Sequence, residues 1–328
     1  MTKRIKQHFI QRAHLDAWAG GRGTIVWSQL IDGRGWVDGN AKPATALAAL
    51  PNYFMASDEF DAQWFENQFQ LVENEGLPII HAMRDGWSPI GPGNRRAASR
   101  YIAMSLLRSY GLREWNRQRK DLDPEQWIEE WAQDLPMLTE DQIREHADEV
   151  ATGADLMRPI EMIDPLSVVY AKCEWYLIDA AVGSSFIVGD CLAVRIDNFE
   201  LNEPGAVSGM GQSEFLIPLS PYRALLMVQG PESREWGAGG EDVMDFKLDD
   251  GQRAWVGAKA AVAPRELVEL VNLCALVQSK RFVFADFDTR IKQTFALAAV
   301  NGYDLGKLRT GIELLRPIGE LVSRDERF

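Results

Sequence analysis

Two of the four histidines of this 328-residue chain, His8 and His14, stand with Arg12 in one short N-terminal stretch, Gln7-His8-Phe9-Ile10-Gln11-Arg12-Ala13-His14-Leu15. Imidazole moves protons and binds metals near neutral pH, and guanidinium holds anions. Read as an extended strand, in which alternate residues share a face, the segment sets His8, Arg12 and His14 on one side and Phe9 and Leu15 on the other. His8 is then a candidate catalytic imidazole, with Arg12 and His14 as candidate ligand-binding groups.

The carboxylates that would work with them lie on a helix expected from Ser57, where Glu59, Glu66 and Glu73 recur every seven residues. Each is displaced by only about 20° from the one before, so the three form a stripe at the edge of the apolar face made by Phe60, Trp64, Phe65, Phe69 and Val72. Such a stripe lines a cleft, coordinates a cation, pairs with arginines, or is simply a solvated flank. Glu73 is the candidate catalytic carboxylate and Glu66 a candidate ligand-binding one. On the next helix Ala97, Tyr101, Met104 and Arg108 follow helical spacing, so Arg108 ends an apolar stripe. An inward guanidinium needs an acceptor, whether a bound anion, a backbone carbonyl or a carboxylate, for which Glu66 and Glu73 are the natural choices; otherwise the side chain bends out to solvent from the helix end.

Two strand ends add further groups. Phe186-Ile187-Val188-Gly189-Asp190 delivers a carboxylate after a short buried-strand pattern, suited to binding a metal, acting as a base or capping a turn. Leu219-Ser220-Pro221 places Ser220 in a tight turn where it can meet a ligand. The candidate site thus comprises His8, Glu73 and Asp190 as catalytic groups, with Arg12, His14, Glu66, Arg108 and Ser220 as ligand-binding ones. No spacing assigns metal ligands, although a divalent metal ion is the cofactor these residue types would take. There is no nucleophile elbow, phosphate-binding glycine loop, dinucleotide fingerprint or His-Glu-x-x-His helix. His81 and His146 are isolated in sequence and read as incidental.

The elements expected to position these groups change in character along the chain. Residues 1–56 read as β-rich, with Thr24-Ile25-Val26-Trp27 and Gly35-Trp36-Val37 as strands around an Asp32-Gly33-Arg34-Gly35 turn. Residues 57–158 read as helical. The first of these helices is expected to end near Gly76-Leu77-Pro78, the next to run from Asn94 to Gly111, and others to start at Asp123-Pro124 and at the Thr139/Gln142 capping box. Residues 159–328 read as a second, antiparallel or mixed sheet followed by C-terminal helices. Its strands are expected at 175–180, 185–188, 192–196, 215–217 and 224–228, with an acidic Gly-rich excursion at 231–252 and an amphipathic helix from Pro264 to Lys280. The fold class is α+β, organised as a single domain over residues 1–328.

Composition narrows the partners. The chain has 35 basic and 48 acidic residues, a net charge of −13, which opposes binding to duplex DNA or to an anionic membrane. No apolar run approaches the ~20 residues needed to span a bilayer and no hydrophobic signal region follows the basic start, so a cytoplasmic location is expected. Cys173, Cys191 and Cys274 are odd in number and widely separated, which fits reduced thiols.

Taken in order, these pieces resemble a bacterial family catalogued as domain of unknown function 4238. Its opening His-aromatic-aliphatic-Pro-Gln/Arg segment is matched by His8-Phe9-Ile10-Gln11-Arg12-Ala13-His14-Leu15-Asp16-Ala17-Trp18, with Gln11 where proline is usual. Further matches are the helix with Glu66 and Glu73, Leu106-Leu107-Arg108-Ser109, Trp175, Phe186 to Asp190, Pro218-Leu219-Ser220-Pro221, and Val271-Asn272 leading to Arg281-Phe282-Val283-Phe284-Ala285. Gly189 and Cys191 depart from the residues that usually flank the aspartate. The resemblance singles out His8 and carries no activity. The residue types suggest a hydrolase, of a metal-assisted, nuclease-like effector kind. The competing reading is a non-catalytic ligand- or partner-binding regulatory protein, in which a His/Glu/Arg/Asp network locks the N-terminal segment onto the helices and Arg12 reads an anionic ligand or protein partner.

Overall fold

A computed structural model describes residues 6–31, 34–51, 62–87, 91–110, 139–141, 144, 160, 163–197, 213–228, 259–279, 281–300 and 302. The chain opens with a short strand β1 (Lys6–His8), which pairs antiparallel with β4 (Ala49–Pro51). Between them lie helix α1 (Arg12–Ala19) and the hairpin of β2 (Ile25–Ile31) and β3 (Gly35–Lys42). The expectation of an extended stretch through His14 is therefore corrected. After β1 the backbone turns at Gln11, whose carbonyl accepts from the amides of His14 and Leu15. His14, Leu15, Trp18 and Ala19 then form the buried face, a spacing that suits a helix and not a strand.

The helical layer consists of α2 (Ala62–Arg84), α3 (Pro92–Leu107) and α4 (Ile163–Lys172), with α3 packed against both others. Helix α2 does not stop near Gly76-Leu77-Pro78 as expected; it continues through both residues to Arg84. A Cβ at Gly76 would lie 2.4 Å from Cβ of Tyr101 and 2.7 Å from the Ala97 carbonyl, so this glycine permits the close crossing of α2 and α3 and does not cap a helix end. Pro92 occupies the first turn of α3, where its missing N–H costs little, and Arg108 is the C-terminal cap. The starts expected at Ser57 and Asp123-Pro124, and the excursion at 231–252, lie outside the described residues; at the start expected from the Thr139/Gln142 capping box, Thr139 directly precedes the helical residues Glu140 and Asp141.

Two larger sheets complete an α+β architecture. One has the order β3-β2-β11-β6, with β6 at Val188–Gly189 and β11 at Phe282–Ala285, all antiparallel. It joins N-terminal strands to C-terminal ones. The other has the order β10-β5-β9-β8-β7, built from β5 (Glu174–Ala180), β7 (Val194–Asp197), β8 (Ser213–Ser220), β9 (Arg223–Val228) and β10 (Lys259–Ala263). Its β10–β5 pair is parallel and the rest antiparallel, so it is mixed. Helices α5 (Arg265–Gln278) and α6 (Asp288–Val300) follow; α5 is charged only at its N-terminal end and buries Val268 and the run from Val271 to Val277.

Two hydrophobic clusters result. One gathers Phe9, Trp18, Phe69, Tyr101 and Trp175 where α1, the helical layer and the mixed sheet meet; the other gathers Phe186, Ile187, Val271 and Val283 around α5. Trp18 bridges them by donating from Nε1 to the Phe186 carbonyl at 3.1 Å. Arginines fasten helix ends to the sheet. Arg95 donates to the carbonyls of Ala171, in the last turn of α4, and of Cys173, just past its end, and lies 4.4 Å over the Trp175 ring. Arg223, paired with Asp179 at 2.5 Å, donates to the Arg84 carbonyl at the end of α2 at 3.0 Å. A cation is favourable at a helix C-terminus because it meets unpaired carbonyls and the negative end of the dipole.

Candidate functional site

The polar residues picked out from the sequence fall into two arrangements, one inside the helical layer and one at the start of β11. In the first, Arg108 is 2% exposed, and its guanidinium donates to Glu73 at 2.7 Å and to Glu66 at 3.2 Å. Its carbon also sits 4.8 Å over the ring of Phe69, so three residues of α2 enclose it. Residues 66, 69 and 73 lie within two turns of one face, which is why the seven-residue stripe and the apolar stripe converge on one cation. Burial pushes the Glu66 and Glu73 carboxyls above the usual range, and Arg108 opposes this in both. Each carboxylate stays about a quarter exposed.

This cluster continues through Tyr101 to His14. The Tyr101 hydroxyl reaches Gln11 Oε1 at 3.3 Å and His14 Nδ1 at 3.5 Å, and Ser105 donates to the same Gln11 oxygen at 3.3 Å. His14 Nε2 lies 2.8 Å from the Pro218 carbonyl of β8, beside the register shift between Pro218 and Ser220. A carbonyl only accepts, so Nε2 carries the proton and Nδ1 presents its lone pair to the tyrosine. The imidazole is stacked between Trp18 and Tyr101, with centroids 5.7 and 6.3 Å away. Burial pushes its pKa down to about 4 despite the Pro218 bond, aided by nearby Arg84 and His81. Burial likewise raises the Tyr101 phenol. His14 is therefore neutral at pH 7 and ties α1 to the mixed sheet.

In the second arrangement Asp190 is fully buried, and its Oδ2 accepts from the amides of Arg281 at 2.6 Å and Phe282 at 2.9 Å. Its own amide donates to the Phe282 carbonyl at 2.9 Å, and its carbonyl accepts from Tyr110 at 3.4 Å. The carboxylate caps the entry of β11. A Cβ at Gly189 would fall 2.0 Å from Ser279 Oγ, so the glycine that departs from the family pattern allows α5 to approach β6. Phe9 packs on Phe282 and Tyr110 at 5.5 and 5.6 Å, which draws β1, the end of α3 and β11 together.

The remaining candidates are separated. His8 is half-buried on β1, in register with Ala49. Arg12 points to solvent from α1 and lies 3.8 Å from Asp16, so it shares no face with His14, contrary to the strand reading. Two positions apart on a helix means about 200° around its axis. Ser220 accepts from the Tyr222 amide at 3.2 Å and so serves its own turn. Among the described residues no three His, Cys, Asp or Glu side chains are grouped to hold a metal ion. Cys173 and Cys274 are buried with thiols pushed up to about 12, chemically quiet at neutral pH.

Several residues of this framework escaped the sequence reading. Gln11 was noted only for replacing a proline, yet its amide oxygen joins Tyr101 to Ser105. Asn272 holds the Phe186 segment, accepting from the Ile187 amide and donating to the Ser185 carbonyl, each at 2.9 Å. An amide inside the apolar stripe of α5 was the available signal. Arg95 leaves no such mark, because its acceptors are backbone carbonyls, and Arg223 leaves none because its partners, Asp179 and the Arg84 carbonyl, are far from it in sequence.

A family model described as a protein of unknown function, DUF4238, matches residues 6–289. No curated protein and no solved structure matches the chain.

Proposed function

The chain belongs to the DUF4238 family, and from that premise we propose that it is a non-catalytic ligand- or partner-binding regulatory protein of the cytoplasm, with the His/Glu/Arg/Asp network as its structural frame. The observation that carries this reading is the state of Arg108: 2% exposed, with both neighbouring carboxylates committed to it. A hydrolytic centre needs a base, a carboxylate or a cation-holding group that substrate can reach. Here the Asp190 oxygen that would serve receives two backbone amides, and the His14 imidazole is sealed between rings and a carbonyl. Groups held this way secure one arrangement of the chain, since a buried hydrogen-bonded polar network is costly to disturb.

The test compares wild type with Asp190→Ala. RNA, single- and double-stranded DNA and generic phosphoester substrates are incubated with each, with Mg²⁺, Mn²⁺ or Zn²⁺ added. The wild type should leave every substrate intact, and the variant should lose about 2–3 kcal/mol of stability in urea unfolding, the cost of two buried amides deprived of a charged acceptor. Metal-dependent hydrolysis by the wild type that disappears in Glu73→Gln, at unchanged thermal midpoint, would establish the hydrolase reading instead.

A further inference from the structure

Away from the polar core, four connections meet at one surface: the turn ending at Arg22, the Val182–Ser185 loop, the β8–β9 turn at Tyr222, and the β11–α6 junction from Asp286 to Arg290. The rings of Tyr222 and Phe287 are 58% and 46% exposed there, and Val182 is fully exposed. Arg22 lies 4.3 Å over the Phe287 ring and donates to the Asp286 carbonyl. Arg290 donates to the Gly183 carbonyl at 2.7 Å and to Gln293 at 3.3 Å. Tyr222 donates to Asp286 at 3.4 Å, and both guanidiniums are near enough to its phenol to oppose the upward push of burial and of Asp286.

Among the described residues neither arginine is in an ion pair. In a chain of net charge −13 two cations converge where Asp286 is buried and already accepts from Ser185, the Phe287 amide and Tyr222 at 3.2, 2.9 and 3.4 Å, and where Asp288 of the same junction is paired with Lys292 at 2.8 Å. Exposed arginines elsewhere in the molecule do have carboxylate partners, as Arg265 has in Glu269. Carbonyl oxygens satisfy N–H groups of Arg22 and Arg290 without neutralising their charge.

We infer that this confluence is a binding site for a small organic anion in which a phosphate is joined to a planar ring, of the nucleoside monophosphate class. Guanidinium is suited to phosphate because its planar fork offers parallel N–H donors, and Tyr222 and Phe287 offer faces on which a base can stack. Arg290 Nε has no acceptor among the described residues, and turning toward a phosphate would satisfy it in exchange for the bonds to Gly183 and Gln293. The net charge selects a mononucleotide over a nucleic acid strand, because a polyanion is repelled by the acidic remainder of the molecule while a single phosphate sees mainly the two local cations. The inference rests on the binding reading proposed above and names the ligand class and the surface that reading lacks.

The test is isothermal titration of the full chain with the four nucleoside 5′-monophosphates, with adenosine, inorganic phosphate and a single-stranded hexanucleotide as controls. At least one monophosphate should bind saturably, at least tenfold tighter than adenosine or phosphate alone. Affinity should fall at least tenfold in Arg22→Ala/Arg290→Ala and in Tyr222→Ala, all with thermal midpoints close to wild type. Absence of saturable binding below about 5 mM, in the millimolar range of weak association, binding that survives both variants, or tighter binding of the hexanucleotide would overturn the inference. Chromatography of the titrated samples separates the two ideas: ligand bound and recovered intact supports both, whereas ligand bound and converted to nucleoside and phosphate overturns the non-catalytic reading and leaves the site standing.

Discussion

The cluster around Arg108 and the confluence around Asp286 both gather arginine, carboxylate and aromatic rings, yet they differ in what remains available. Arg108 is enclosed by Phe69 and answered by two carboxylates. Arg22 and Arg290 are held by carbonyls, beside rings that face water. A cation answered by carboxylates has its field cancelled and mainly holds elements in place; one answered by backbone carbonyls keeps its charge for a further partner. Residue type alone does not tell these apart, and the identity of the acceptors does.

The comparison breaks most readily at Arg108. Arg108→Met should destabilise the protein by about 3–4 kcal/mol, toward the lower part of the range for breaking a buried ion pair, because the partly exposed Glu66 and Glu73 can take up protons or water. Adding Glu66→Gln and Glu73→Gln should recover more than half of that loss, since neutral amides need no counter-charge. Urea unfolding of the single and triple variants measures both. At the other surface, replacing Arg22 and Arg290 should shift stability by no more than about 0.5 kcal/mol, as for surface substitutions that break no ion pair. A large stability loss there would mean that the two regions are alike after all.

Acid titration is the next strongest probe. His14 has a folded pKa of about 4 against an ordinary 6.5, so the unfolded chain binds the proton more tightly and stability falls as pH drops through that window. Each pH unit below 6.5 should cost up to about 1.4 kcal/mol, reaching about 3 kcal/mol near pH 4. Glu66 and Glu73 have the opposite sign, because carboxyls raised in the fold are protonated there first and offset part of the slope. Unfolding by urea from pH 7 to pH 4 should show the slope in wild type and a shallower one in His14→Gln, whose amide can still donate to Pro218. Equal slopes would place the acid sensitivity elsewhere.

These probes also mark how far the sequence could be read. The α+β order, the sheet after residue 174, the α5 stripe and the need of Arg108 for an acceptor all follow from periodicity, because each is a local pattern or a local cost. Helix α2 was cut short at Gly76 and Pro78, since a glycine that admits a neighbouring helix and one that ends a helix look the same without the neighbour. The pairing of β2 with β11 spans more than 250 residues, and no local spacing encodes it. The tie between Asp190 and the amides of 281 and 282 was invisible for the same reason. So was the loop confluence, whose members come from four separate stretches and include no motif.

The N-terminal segment yields the smallest effect and the sharpest contrast. His8, Arg12 and His14 share parity, and a strand would give them one face and one role. On helix α1 Arg12 is more than half exposed beside Asp16 while His14 is buried against Pro218. Arg12→Ala should therefore change stability by about 0.2–0.5 kcal/mol, the worth of an exposed i,i+4 pair, and that difference should vanish in 1 M salt, where the screening length is about 3 Å. His14→Ala should cost several times more and keep that cost in salt, because ring packing and a buried hydrogen bond are not screened. A loss at Arg12 comparable to that at His14 would restore the shared face and with it the case for a site at this end of the molecule.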